Sequence, residues 1–252
     1  MTESPPNPVT PTNPVGLLVV DKPEGPTSMD ICRVVKACLR RGGAPKAVKV
    51  GHGGTLDPLA TGVVVVLIGR AATRLCDEVM AGEKRYIAEV DLSCRSSTDD
   101  REGEKTEISV IRAPELAEVT AACAQFVGTI EQVPPAHSAI WVDGQRAYKL
   151  ARAGAQPEMK ARPVEIHAIE ILEYVYPRLV LDVRCGKGTY IRSLARDVGM
   201  ALGVGGMLAG LRRTAVGAFS IEDAVPLNDV PSPLLQEHLR PLPGAGAESS
   251  EN

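Results

Sequence analysis

The residues best suited to chemistry lie in one run, Gly51-His52-Gly53-Gly54-Thr55-Leu56-Asp57-Pro58-Leu59-Ala60-Thr61-Gly62, which passes directly into Val63-Val64-Val65-Val66-Leu67-Ile68. Its chemistry centres on one carboxylate, Asp57. Glycines at 51, 53 and 54 let the backbone turn through positive φ and approach a ligand closely, and Pro58 fixes the chain just after the aspartate. The same composition also serves a plain turn. The β-branched run that follows is short and bounded by glycines, so it reads as a strand buried on both faces, a rigid anchor for an active loop.

Elements that must hold this loop follow in chain order. Leu17 to Val20 reads as a short strand, and Thr27 or Ser28 caps a helix with Met29, Cys32, Val35 and Leu39 inward until Gly42-Gly43 stops it. Thr73 to Met80 reads as a short helix, and Arg85 to Leu92 as a strand with Tyr86, Ala88 and Val90 on one face. Ser93 to Thr106 is a polar loop. Pro114 opens a helix carrying Leu116, Val119, Cys123 and Phe126 on one side. Residues 134–162 read as a mobile basic flap around the turn Asp143-Gly144. Strands near Val164 to Leu172 and Leu179 to Arg184 lead to a helix that begins at Thr189, with Ile191, Leu194, Ala195 and Val198 inward. Val216 to Phe219 is a last strand. The fold class is α+β, mixed α/β around one large sheet.

At 252 residues the chain can bury a substantial core, and 44% hydrophobic with 23% charged residues excludes wholesale disorder. Residues 1–15 carry five prolines and read as a disordered leader; 16–228 form the main domain; 229–252 read as a disordered tail. With no apolar run near the roughly 18 residues a membrane span needs and no secretory signal, the expectation is a cytoplasmic protein, a monomer without membrane contact. Six cysteines show no Cys-x-x-Cys pair and the four histidines are scattered, so the cysteines read as small buried hydrophobes and no metal is expected. The net charge of −3 argues against a generic polyanion binder, but charge is segregated. Between Ile31 and Leu56 stand six basic residues and no acidic one, and further basic groups cluster at 146–162, 184–196 and 212–213. Such clusters suit a phosphate backbone, or are ordinary solvated helix faces.

Several segments together resemble the TruB family of tRNA pseudouridine synthases. They are Leu18-Val19-Val20-Asp21-Lys22-Pro23, the run from Val50 to Gly62, Lys84-Arg85-Tyr86, Gln132-Val133-Pro134-Pro135, Lys187-Gly188-Thr189-Tyr190-Ile191-Arg192 and Leu211-Arg212-Arg213-Thr214, in the family's order and spacing. Departures are Gly53 where the family usually has Thr or Ser, His137 where it commonly has Tyr, and Trp141 where it often has Lys. The resemblance implies the pseudouridine synthase fold, a largely antiparallel central sheet with flanking helices. It also implies isomerisation of a T-loop uridine in tRNA, without cofactor, metal or guide RNA. Many bacterial members carry a C-terminal PUA domain; the residues after Val225 are expected to be too few for one.

By the same resemblance Asp57 is the essential aspartate. A carboxylate there can attack the sugar anomeric carbon or the base, or stabilise positive charge developing on the sugar. Arg192 matches the arginine that pairs with it and Tyr86 the tyrosine that stacks on the target base. His52 matches a residue associated with base flipping, Tyr190 and Leu211 match pocket walls, and Lys22 an early lysine that orders the site or contacts RNA. The flap at 134–162 matches an RNA-gripping thumb. Two readings compete: an RNA-binding module without turnover, and a phosphate-binding enzyme built on Gly51 to Gly54, which lacks the Gly-Lys-Ser/Thr ending of a P-loop.

Overall fold

The computed structural model describes residues 13–142, 144–155 and 157–243. Expectations for residues 1–12 and 244–252 lie outside the described residues. The chain forms two compact units, one drawn from the chain up to Met80 and from Val216 onward, the other from Ala81–Ala215.

In the first unit Gly16–Lys22 is β1, Ser28–Arg41 is α1, Val50–His52 is β2 and Thr61–Ile68 is β3, followed by two short helices, α2 (Gly69–Arg74) and α3 (Cys76–Ala81). The centre is β3. It runs antiparallel to both β1 and β2, with Ile68 in register with Gly16 and with Val50. Every residue from Val63 to Ile68 is at most 1% exposed, as expected for a strand buried on both faces. Each such side chain contributes about 1.5–3 kcal/mol relative to exposure. Thr27 caps α1 in a reciprocal box with Asp30, and the helix buries Ile31, Cys32, Val35, Cys38 and Leu39. Met29, expected inward, is 47% exposed. The inward place in the first turn belongs instead to Ser28. The single helix expected at Thr73 to Met80 is two, broken at Leu75.

The second unit contains β4 (Lys84–Asp91), β5 (Cys94–Ser96), β6 (Lys105–Glu107), α4 (Leu116–Ala124), β7 (Gly128–Gln132), β8 (Trp141–Val142), β9 (Gln145–Arg146), α5 (Ala147–Arg152), β10 (Arg162–Val175), β11 (Arg178–Cys185), α6 (Ile191–Ala201) and β12 (Met207–Val216). The strands run in the order β12-β4-β11-β10-β7, and β4–β11, β11–β10 and β10–β7 are antiparallel. Tyr86, Ala88 and Val90 face the core as the alternation predicts. The expected loop after β4 holds the hairpin β5–β6. Phe126 and Leu116 do not share α4's inner face: the helix ends at Ala124, and Leu116 is 57% exposed. β12 has no counterpart in the sequence reading, which placed a strand only from Val216. Its centre, Ala209-Gly210-Leu211-Arg212-Arg213, lacks both the β-branched residues and the alternation that mark a strand.

The chain then returns to the first unit through β13 (Phe219–Ser220) and β14 (Val225–Pro226), the latter parallel to β1. Residues 229–243, expected to be disordered, are folded. Val230, Leu234 and Leu239 are buried, and Leu17 and Arg240 exchange backbone hydrogen bonds of 2.9 and 2.8 Å. Sparse apolar anchors suffice here because Leu239 lies beside Gly16 of β1 and Leu234 meets the end of α1, where its N–H bonds the Cys38 carbonyl at 3.1 Å. The cysteines are free, and all but Cys76 are buried. Burial pushes the thiols of Cys32, Cys123 and Cys185 up to about 11. Among the described residues no helix is long and apolar enough to cross a membrane.

The packing of α6 depends on an absent side chain. A Cβ at Gly199 would lie 2.0 Å from the Gly205 carbonyl oxygen and 2.6 Å from the Gly206 Cα. The neighbours are backbone, so relief requires moving the helix. Gly199→Ala is expected to cost about 3 kcal/mol and lower the thermal midpoint by roughly 6–12 °C, measurable by calorimetry.

Candidate active site

Asp57 sits in the turn between β2 and β3, half-buried, and its neighbours are tied from beneath. On one side Leu56, 3% exposed, both donates to and accepts from the Ser28 hydroxyl, at 2.8 and 3.0 Å. On the other, the Pro58 carbonyl accepts from the Gly25 N–H at 2.9 Å and from the Lys22 ammonium at 3.2 Å. Asp57's own carbonyl accepts from the Ala60 N–H at 3.1 Å. The backbone carrying the carboxylate is therefore fixed before and after it, so the loop does more than reverse the chain.

Lys22 is fully buried. Its Nζ also donates to the carbonyls of Pro23 and Pro26, each at 2.8 Å, which folds the Pro23–Pro26 loop against Pro58. Of the two roles open to it, ordering the site is the one its burial supports. His52 ends β2 opposite Val66, half-buried, and its carbonyl accepts from the Cys76 thiol at 3.5 Å.

The three loop glycines differ in purpose. Only Gly54 has a positive φ, 109°. Gly53 is required by packing, since a Cβ there would lie 2.4 Å from Val79 Cγ1. At Gly51 a Cβ would make only ordinary contact, 3.6 Å from Thr73 Cγ2. Alike by residue type, the three differ in the fold.

The second unit holds Tyr86, Tyr190, Arg192 and Leu211. Tyr86 lies on β4 in register with Val183 and is 8% exposed; Leu211 lies on the adjacent strand β12. Tyr190 caps α6, in place of the expected Thr189. Its backbone is clamped by the buried Gln132 side chain, whose Oε1 accepts from the Tyr190 N–H at 2.8 Å and whose Nε2 donates to the Tyr190 carbonyl at 3.1 Å. Arg192 follows in the first turn, its side chain 7% exposed. Its guanidinium donates to the carbonyls of His137 at 3.1 Å and Thr98 at 3.4 Å, and lies 3.4 Å from Asp100 Oδ2. Because His137 contributes its carbonyl, its departure from the family's tyrosine leaves this bond intact.

Asp100 and its neighbour Asp99 were hidden in what reads as a plain polar loop. Asp100 is 3% exposed, and its Oδ1 accepts from the Thr98 hydroxyl at 2.5 Å and the Glu102 N–H at 3.0 Å. Asp99, in a left-handed conformation at φ 60°, pairs with Arg196 at 2.8 Å. Burial raises the Asp99 carboxyl above its ordinary range, although the Arg196 guanidinium pulls it back. The only sequence signal was arithmetic. Arg192 and Arg196 are four residues apart on one helix face, and adjacent aspartates can serve both.

The mixed sheet with its flanking helices is the fold of solved Cbf5 structures. A crystal structure of a Cbf5–Nop10–Gar1 complex aligns with 90% of this chain and 59% of that chain, at a TM-score of 0.66 and 28% identity. An archaeal box H/ACA sRNP Nop10–Cbf5 complex aligns with 86% and 53%, at 0.61 and 31%. The chain thus spans little more than half the length of these solved proteins. The model for the TruB family pseudouridylate synthase N-terminal domain matches residues 41–191, and that for the tRNA pseudouridylate synthase B C-terminal domain matches 192–242. Proteins named tRNA pseudouridine synthase B from Corynebacterium efficiens and Cupriavidus taiwanensis are each 45% identical over 85% of this chain, covering 71% and 67% of their own length. The chain belongs to the TruB family.

Two substitutions test this geometry. Ser28→Ala strands the buried N–H and carbonyl of Leu56 and is expected to cost about 1–3 kcal/mol in denaturant unfolding. Asp100→Asn keeps the shape but removes the charge beside Arg192. It should cost about 2–3 kcal/mol, measured the same way.

Proposed function

We propose that this protein is a tRNA pseudouridine synthase that isomerises a uridine in the T-loop of tRNA, acting in the cytoplasm without a guide RNA. The observation that carries the reading is that the residues on both sides of Asp57 are fixed, Leu56 by Ser28 and Pro58 by Gly25 and Lys22. Relatives named tRNA pseudouridine synthase B at 45% identity support the tRNA substrate over guide-directed use, since the Cbf5 complexes stand at 28% and 31%.

The reaction breaks the bond between the uracil N1 and the sugar, turns the base, joins its C5 to the same sugar carbon, and moves one proton in net terms from C5 to N1, so the product is an isomer of the substrate. Electrons balance within the nucleotide, so no oxidant or reductant is required. In this proposal Asp57 attacks, or stabilises the charge that develops on the sugar. Arg192, which the family resemblance matches to the arginine serving that carboxylate, contributes a planar guanidinium. Tyr86 offers a stacking face for the base, and its hydroxyl a route for the C5 proton. His52 fills space left in the RNA stack, Tyr190 and Leu211 wall the base, and Lys22 orders the loop. The target carbon lies inside folded RNA, so extrusion must be offset by backbone contacts from the basic clusters.

Pseudouridine formation on an unmodified tRNA transcript provides the test. The native chain should turn over, and Asp57→Asn should lose at least ~10³-fold in rate while still binding RNA. Equal turnover by both proteins would remove Asp57 from the mechanism. RNA binding without turnover by the native chain would favour the binding-module reading.

A further inference from the structure

The flap carries an arrangement that the proposed chemistry does not use. Trp141, the chain's single tryptophan, is 59% exposed on β8. It faces Arg146 directly across the two-stranded hairpin with β9, and the Arg146 guanidinium lies 4.5 Å from the ring centroid. Arg146 is itself held by a hydrogen bond to the Ala139 carbonyl. The hairpin is anchored where α5 begins. Ala147 is fully buried, its N–H bonds the Ile140 carbonyl at 2.7 Å, and the Tyr148 N–H bonds the Ser138 carbonyl at 3.0 Å. One turn on, the Arg152 guanidinium lies over the Tyr148 ring at 5.6 Å.

An indole this exposed gains little from burial, and a cation over it at an exposed site adds only a modest stabilisation. What the pair provides is a flat, polarised surface held at fixed orientation. Arg146, Lys149, Arg152, Lys160 and Arg162 surround it in sequence, against two acidic residues, Asp143 and Glu158. That balance favours a polyanion over an acidic-poor protein partner, and an aromatic plane among cations fits the face of an unstacked base.

We infer that Trp141, backed by Arg146, is a stacking platform for an unpaired nucleobase of the substrate RNA. It is an RNA-binding residue additional to the pocket that takes the target uridine. The inference rests on the RNA-modifying reading above, and it concerns grip on the RNA, not the reacting atoms.

The single tryptophan makes the site its own reporter. The full chain is titrated with unmodified tRNA transcript, and separately with heparin, which offers anionic charge without bases. Tryptophan emission and filter binding are followed together, with turnover measured on the same preparation. Stacking predicts quenching that saturates with RNA binding and is much weaker at equal occupancy by heparin. Trp141→Ala should raise the apparent Kd and the KM roughly 5- to 100-fold, the loss falling in KM more than in kcat. Trp141→Phe, which keeps a ring and guards against misfolding, should recover most of it. RNA bound without quenching, equal quenching by heparin, or native-like affinity of Trp141→Ala would overturn the inference. Turnover without quenching removes the platform alone, whereas quenching without turnover removes the synthase reading and leaves the platform standing.

Discussion

An ammonium group taken wholly out of water must find oxygen for its N–H bonds, and that requirement organises the loop around Asp57. Lys22 meets it with the carbonyls of Pro23, Pro26 and Pro58, which come from two stretches far apart in the chain. Prolines suit the task because they offer a carbonyl without a competing N–H and restrict the backbone that presents it. The cost of desolvating the charge is thereby converted into a geometric constraint: neither loop can drift without stranding a buried cation. Ser28 applies the same logic on the other side, with one hydroxyl serving both polar groups of Leu56.

The second unit positions its candidate residues by the same means. Arg192 is oriented by two carbonyls and by Asp100, and Tyr190 by the amide of Gln132. In both units buried polar side chains hold candidate site residues or their chain neighbours, so the candidate groups themselves need not supply the rigidity. The flap differs, since Trp141 and Arg152 are exposed and its order derives from a few backbone bonds to Ser138 and Ile140.

What could be read from the sequence followed the strength of local signals. The run Val63 to Ile68 is apolar and β-branched throughout, and its burial on both faces was legible at once. So was the alternation of Tyr86, Ala88 and Val90 on β4. β12 was not legible, because Ala209, Gly210 and the Arg212-Arg213 pair carry no strand preference and their placement depends on neighbouring strands. The candidate residues were legible by type and spacing, but their supports were not. Nothing local marks Ser28, Gln132 or Asp100 as different from any helix-start serine, strand-end glutamine or loop aspartate, because each acts on a residue between 28 and 92 positions away. The folded segment through Leu234 and Leu239 was missed for a related reason: two well-placed apolar side chains outweigh a composition rich in proline.

The close approach of Gly53 to Val79 Cγ1 has a consequence for how this sequence can change. Any side chain at position 53 needs room that the valine at position 79 denies. The two positions are therefore coupled through the space between them. Enlarging residue 53 therefore goes together with a smaller residue 79 or a displaced α3; made alone, it sets the loop that carries Asp57 against Val79.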